Sequence, residues 1–290
     1  MKKNKLIRVM TALCCEPWLL TPVMHRTLTD IVSAHAAGGD LELAQHAMAM
    51  QMDSKPNREY VVDEGCAIFD IEGVIGRKFD DQMRSSGVVS VDVFTRLLNE
   101  ARESSDVESA MLVFDSPGGV ARGIPEAAEA IRAFDAVKPI RSYVDGMCCS
   151  AAYWLASQTD HITATPSSDV GSVGVYCAVL DQSRAYEMEG YKVEVFKSGK
   201  FKGMGLPGTA LTDPQREILQ ASVDKIGVDF RHAVREGRNT SEKKIMDEIM
   251  QGQSFDAAEA MANGLIDGIE DFGSAMRALC GETKKKSARR

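Results

Sequence analysis

Short apolar runs alternating with helix-spaced segments predict an α/β protein with a core of repeated strand–helix units. Three stretches carry this. Ala110–Phe114 is a continuous apolar run ending on Ser116-Pro117-Gly118-Gly119, as a buried strand opening into a loop does. Val91–Glu103 places apolar residues at 91, 94, 97, 98 and 101, the spacing of one helix face. Ile124–Val137 has the same period, with Pro125 in the first turn, where a helix tolerates proline.

Residues 1–58 differ in texture from the rest. Glu16-Pro17-Trp18-Leu19-Leu20 precedes helical stretches over Thr27–Ala36 and Leu41–Met52, with Gly38-Gly39 between them and turn-forming residues from Asp53 to Arg58. Met48, Met50 and Met52 alternate, so they supply a flexible apolar packing surface and not one helical stripe. The expectation is a small helical appendage that packs on the main domain or on a neighbouring subunit. From residue 60 strands and helices alternate. Tyr60–Val62 and Ala67–Ile71 read as strands with turns at Gly73 and Gly76, and Pro139–Val144 as the strand after the second core helix. Cys148–Ser157 is the next helix. Further strands are expected at His161–Thr165, Ser172–Leu180 and Lys192–Phe196. Pro214 opens a long helix to about Arg235, and Lys243–Met250 and Ala257–Asn263 supply the last ones. The main domain thus spans 59–272, followed over 273–290 by a helix end and the basic run Thr283–Arg290, expected to be solvated and without fixed structure. Strand–helix repeats of this length join into a right-handed core.

Composition narrows the function. With 44% apolar and 26% charged residues, 290 residues suffice to bury a core without metals or disulfides. A net charge of −8 argues against general affinity for nucleic acid or an anionic membrane. Seven cysteines, including two adjacent pairs, do not form a disulfide framework and fit a reducing compartment. Lys2, Lys3 and Lys5 before Leu6-Ile7 imitate the start of a signal peptide, but Arg8 breaks the apolar run, and Glu16 and Pro17 precede any cleavage site. No stretch approaches the ~20 apolar residues of a membrane span. A soluble cytoplasmic protein is expected.

Five histidines are present, and none sits in a loop at a strand end beside a glycine-rich turn, so a Ser-His-Asp triad has little support. Neither a CxxC nor a histidine pair at ligand spacing occurs, and no metal or other cofactor is expected. Three loops carry chemical possibilities. In Asp115-Ser116-Pro117-Gly118-Gly119 the glycines either make a plain turn or aim backbone N–H groups at an oxyanion. In Asp145–Tyr153, Ser150 falls at a helix start, as an N-cap or as a nucleophile. In Phe196–Gly205, Lys197, Lys200 and Lys202 belong to a solvated loop, or Phe201 and Met204 desolvate one of them.

Together these loops resemble the signal-peptide peptidase A family of serine peptidases, over roughly residues 60–270. The resemblance rests on five motifs in family order. They are Ser116-Pro117-Gly118-Gly119; Ser150 followed by Ala151-Ala152-Tyr153; Gly171-Ser172-Val173-Gly174-Val175; the Lys197-Ser198-Gly199 loop ending in Lys202; and Gly252–Phe255 with Asn263-Gly264-Leu265-Ile266-Asp267. It implies the crotonase-like, caseinolytic-protease-like fold and a Ser–Lys dyad. Ser150 is then the nucleophile and Lys202 the base, with Gly118, Ala151 and, as a close rival, Gly119 as oxyanion donors. Ser172 is implied as a residue that orients the lysine. Such a base works only where burial disfavours the ammonium charge. Cys148-Cys149 departs from the small residues usual before the serine and leaves a cysteine nucleophile as a minor alternative, without a histidine partner in sight.

The Glu16-Pro17-Trp18-Leu19 start resembles the phage branch of this family, the head maturation proteases. That implies scaffold, capsid or portal proteins as substrates, action inside an assembling procapsid in the bacterial cytoplasm, and a homo-oligomer whose active site is shared between protomers. About twenty residues follow Gly268, too few for the scaffold extension of some members, so the scaffold is expected as a separate protein or is missing from this chain. Two other classes stay open: a crotonase-like acyl-CoA enzyme of the same fold, in which Ser150 and Lys202 have no role, and a catalytically silent procapsid component.

Overall fold

Trp18–Leu20 (β1), Val61–Asp63 (β2), Cys66–Glu72 (β3), Val74–Gly76 (β4) and Val88–Ser90 (β5) precede the helix Val91–Glu103 (α1). Ser109–Ser116 (β6) and Gly118–Val120 (β7) lead into Ile124–Asp135 (α2), and Ile140–Cys149 (β8) into Ala151–Ala156 (α3). His161–Ala164 (β9) and Asp169–Gly171 (β10) follow, then Ser183–Met188 (α4) and the long helix Asp213–Arg238 (α5). Ser254–Asp256 (β11), Ala257–Ala262 (α6), Gly268–Ile269 (β12) and Phe272–Ser287 (α7) complete the order. This computed structural model describes residues 18–20, 60–77, 88–240 and 242–287. The helical stretches expected within 27–52 lie outside the described residues.

The α/β class is as expected. In the larger sheet the order is β11-β10-β8-β6-β3-β2, with β9 on β8 and β12 on β9. β3, β6, β8 and β10 are parallel neighbours, because a helix or long connection returns the chain between them. A smaller sheet runs β1-β7-β4-β5. The two are linked where β3 passes into β4 at Gly73 and β6 into β7 at Pro117. Ser116, fully buried, ties these passages together: its Oγ donates to Gly73 O at 2.6 Å and accepts from Gly118 N at 3.2 Å.

One face of the larger sheet is covered by α1 and α2, whose Phe94, Leu97, Leu98, Ile124, Ile131 and Phe134 are buried as the helical spacing demands. Every residue of α3 is buried. It is held from outside by α5, where the Trp154 and Phe230 rings stack at 4.7 Å and 7°. The approach is closest at Gly237, where a Cβ would lie 1.7 Å from Ser157 O. Gly237→Ala must push α5 off the end of α3, and overpacking of this kind is expected to destabilise the fold by about 2–3 kcal/mol, read from denaturant midpoints.

A charged clamp closes the same region. Asp267 accepts from Arg238 Nη2 at 2.6 Å and from Ile162 N at 2.8 Å, joining the end of α5 to β9. Burial pushes the Asp267 carboxyl up, but the Arg238 guanidinium and the Ile162 N–H outweigh it and hold it below the ordinary carboxylate range. A depressed folded value means stability that is complete above the unfolded pKa of ~3.9 and lost as pH falls through the lower folded value. Asp267→Asn is expected to cost roughly 1–2 kcal/mol at neutral pH, moderated by the partial exposure of the carboxylate, and to flatten the acid limb of a stability-versus-pH curve.

Three expectations are corrected. Residues 172–180 and 192–196 form no strand: apart from a single β-bridge at Tyr176 these stretches are irregular, with Leu180, Val193, Val195 and Phe196 exposed and no strand paired with them among the described residues. The basic run does not begin outside secondary structure, since α7 continues through Ser287. Thr283 is buried and donates from Oγ1 to Leu279 O. Of the expected helix 243–250, only Glu242–Lys244 is α-helical, and Ile245–Ile249 forms one π-helical turn.

Candidate active site

The carboxyl ends of β6, β8 and β10 meet side by side, the position at which parallel α/β sheets present their ligand sites. The register pairs Ser116 with Cys148 and Cys149 with Gly171, so Gly118, Ser150 and Ser172 all leave the sheet at one point. Ser150 is 1% exposed and sits at φ 56°, ψ −116°, a sparsely populated conformation for a residue with a Cβ, costing about 1–3 kcal/mol. Its N–H is held by Gly171 O at 2.7 Å, and its carbonyl accepts from Trp154 N at 2.9 Å. Its side chain makes no capping hydrogen bond, so the N-cap role does not account for the serine. Strain is tolerated here because bonds on both sides of the residue impose it.

Ala151 is the first residue of α3, and the N–H groups of a first helical turn have no intrahelical acceptor. Gly118 has φ 102°, which a side chain would strain. Its N–H leans on Ser116 Oγ at 3.2 Å. Gly119 is pressed so close to β4 that a Cβ would lie 1.8 Å from Ile75 O. Ser172 also has a positive φ, 51°; its N–H donates to Gln253 O at 2.7 Å and its Oγ to Gly252 O at 3.3 Å. Within the protomer its hydroxyl is therefore directed at the Gly252 loop.

Two residues named only as members of the glycine loop in the sequence have roles there that the sequence did not show. Ser116 fixes the glycine loop, as above. Asp115 Oδ1 accepts from Met147 N at 3.1 Å and fills the space a Cβ on Gly146 would need, joining the glycine loop to the turn before the nucleophile. Burial pushes its carboxyl up, Met147 N–H opposes this, and the charge of Asp145 adds to the rise. The only local signal was a polar pair ending an apolar run.

Lys202 makes no hydrogen bond to Ser150. It is exposed in a turn, its N–H donating to Gly199 O at 3.2 Å, and its ammonium makes no hydrogen bond or ion pair among the described residues. Lys200 Nζ lies 5.3 Å from the Phe201 ring centroid. The flanking stretch exposes Met188 at 82% and Phe196 at 93%, with Leu180, Tyr191 and Leu206 also open. Cys148 and Cys149 are buried; burial pushes the Cys149 thiol up to about 12 and that of Cys148 well above its ordinary value, so neither supplies a thiolate at neutral pH. His161 lies 3.7 Å from Asp267 in the structural clamp. No cluster of metal-ligating side chains occurs among the described residues, and none of their helices is long and apolar enough to cross a membrane.

Comparison with known proteins bears on this geometry. The model of peptidase family S49 matches residues 132–286, more than half of the chain and all of the segment that carries Ser150, Ser172 and Lys202. The chain is 27% identical over 278 residues to capsid assembly protease C of Escherichia phage lambda, covering 91% of this chain and 63% of that protein. It is 26% identical over 220 residues to protease 4 of Haemophilus influenzae, covering 75% of this chain and 34% of that protein. It thus spans less than two thirds of the length of either relative. Among solved structures it is similar to the ClpP protease catalytic domain of Plasmodium falciparum, with a TM-score of 0.45 and 12% identity, covering 70% of this chain and 85% of that one.

Proposed function

This chain belongs to peptidase family S49, and from that premise we propose that it is a serine endopeptidase in which Ser150 attacks the peptide carbonyl and Lys202 takes its proton. The observation that carries the proposal is the conformation of Ser150: buried, strained, uncapped, and held at the carboxyl ends of three parallel strands. Nothing in the packing of the fold calls for a serine there. As Ser150 Oγ bonds to the carbonyl carbon, its proton passes to Lys202 Nζ, and the carbonyl oxygen becomes an oxyanion. Ala151 N–H and an N–H of the Gly118–Gly119 loop receive it. Gly118 must give up its bond to Ser116 Oγ to serve. Lys202 then returns the proton to the leaving amine as the C–N bond breaks, and water releases the acyl group from Ser150.

The site is completed between protomers in this proposal. Lys202 is exposed and apolar side chains of the same stretch of chain, Met188, Tyr191 and Phe196 among them, are uncovered, as suits a segment that docks on a second copy of the chain. The likeness to a phage capsid assembly protease supports action on scaffold, capsid or portal proteins within a procapsid. Ser172, whose hydroxyl is within reach of the same strand ends, is proposed to orient the lysine of the partner.

A fluorophosphonate probe tests the reading. Covalent labelling located at Ser150 by peptide mapping, lost in Ser150→Ala, is the expected result. An unlabelled protein that is demonstrably oligomeric would exclude a serine peptidase and leave an acyl-CoA enzyme or a silent structural role.

A further inference from the structure

The strand that begins at the candidate oxyanion loop is not open. Gly118–Val120 has Val74–Gly76 on one side, with Ile75 opposite Gly119, and Trp18–Leu20 on the other. The second pairing is antiparallel, Trp18 with Val120, Leu19 with Gly119 and Leu20 with Gly118. Remove Trp18–Leu20 and Gly118–Val120 becomes the edge of its sheet. That edge starts two residues beyond Ser116, which is paired with Cys148 just before the nucleophile, and the helix headed by Ser150 packs against it.

A peptide substrate has to reach Ser150 in an extended form, and an extended chain is held most economically by adding a strand to a free edge. Such an edge reads main-chain groups, so it accepts any segment of suitable conformation without charge, including one from the same chain. Trp18-Leu19-Leu20 is such a segment, uncharged and followed by Thr21-Pro22. A pairing of only three residues is weak, because it gains few hydrogen bonds against the ordering of the chain that makes them. It is therefore strong enough to occupy the edge and weak enough to be displaced.

We propose that Trp18–Leu20 occupies the strand position of the protein substrate beside Ser150, so that the amino-terminal segment is a built-in competitor that substrate must displace. This rests on the peptidase reading above. A competitor of this kind removes a fraction of the molecules from the binding-competent state, so it raises KM and leaves kcat alone. It also defines the substrate by its chemistry: an extended, uncharged stretch laid antiparallel to Gly118–Val120.

The test uses the full-length chain. Leu19→Pro removes an N–H and fixes φ within the added strand without touching Ser150, Lys202 or the glycine loop. With an uncharged fluorogenic peptide, KM is expected to fall about tenfold and kcat to stay within about twofold. Fluorophosphonate labelling of Ser150 is run on both proteins. Labelling and cleavage in both with equal KM would overturn the competitor while leaving the peptidase reading intact; absence of labelling and cleavage in both proteins would overturn the peptidase reading and this one with it. Hydrogen exchange on full-length Ser150→Ala gives an answer that does not depend on the proline variant folding. Adding the uncharged peptide is expected to release protection at 18–20 while 118–120 stays protected. Protection retained at 18–20 with the peptide bound would overturn the proposal.

Discussion

Ser150→Ala is expected to lower kcat/KM for peptide cleavage by about 10⁴-fold or more while leaving the thermal midpoint nearly where it is. Both halves follow from the same observation. The hydroxyl makes no capping bond, so its loss strands no buried partner. The strain at φ 56° belongs to the backbone and is shared by alanine, whose Cβ meets the same surroundings. Bonds from Ser150 N to Gly171 O and from Trp154 N to Ser150 O are main-chain bonds and survive. A stability change below about 1 kcal/mol is therefore expected, against loss of the oxygen proposed to form the acyl-enzyme. Paired measurement of activity and of the denaturant midpoint on one preparation checks both. A variant that keeps a tenth of the activity would remove Ser150 from the mechanism. One that loses activity together with its fold would show that the serine is held for structural reasons.

Much of this site was legible because it lies at the ends of long, continuous apolar strands. Ala110–Phe114 announces a buried strand, and the proline and two glycines shortly after it have to form a loop at its end. The same logic places Ser150 between a strand and a helix start. The small sheet was not legible, since Val74–Gly76 and Gly118–Val120 are three residues each, too short for periodicity to register. Its glycines read as turn formers when they are in fact strand residues chosen for close approach, as Gly119 against Ile75 O demonstrates. The roles of Asp115 and Ser116 were not legible because their partners, Met147 and Gly73, are 32 and 43 residues away and no local pattern points to them. The opposite error occurred over 192–196. Val193, Val195 and Phe196 have the β-propensity of a strand, but propensity measures fit to a neighbouring strand, and the described residues offer none there.

That same stretch sets up the sharper test of how the dyad is assembled. Lys202→Ala is expected to be inactive like Ser150→Ala, and a mixture of the two inactive proteins to regain cleavage once subunits exchange. If Ser150 of one protomer works with Lys202 of another, a functional site needs the serine of a Lys202→Ala subunit beside the lysine of a Ser150→Ala subunit. Random mixing of equal amounts produces about a quarter of contacts with that pairing. Activity should therefore rise from background to about a quarter of the wild-type value, the largest relative change any mixture of these proteins can give. The structure supplies the reason to expect it. In the protomer Lys202 is exposed and its ammonium has no partner among the described residues, whereas Ser150 is buried at the sheet ends. Met188, Tyr191 and Phe196, earlier in the same stretch of chain, remain uncovered. Docking this segment on a second copy would bury those side chains and strip water from the lysine in one event, so that proteolysis begins only on assembly. A dyad within one protomer requires the opposite: each mixed oligomer contains only half-sites and stays silent. Exchange has to be shown independently, by mass differences between isotopically distinct subunits in native mass spectra. Inactive mixtures in which hybrid oligomers are plainly present would then return Lys202 to its own protomer.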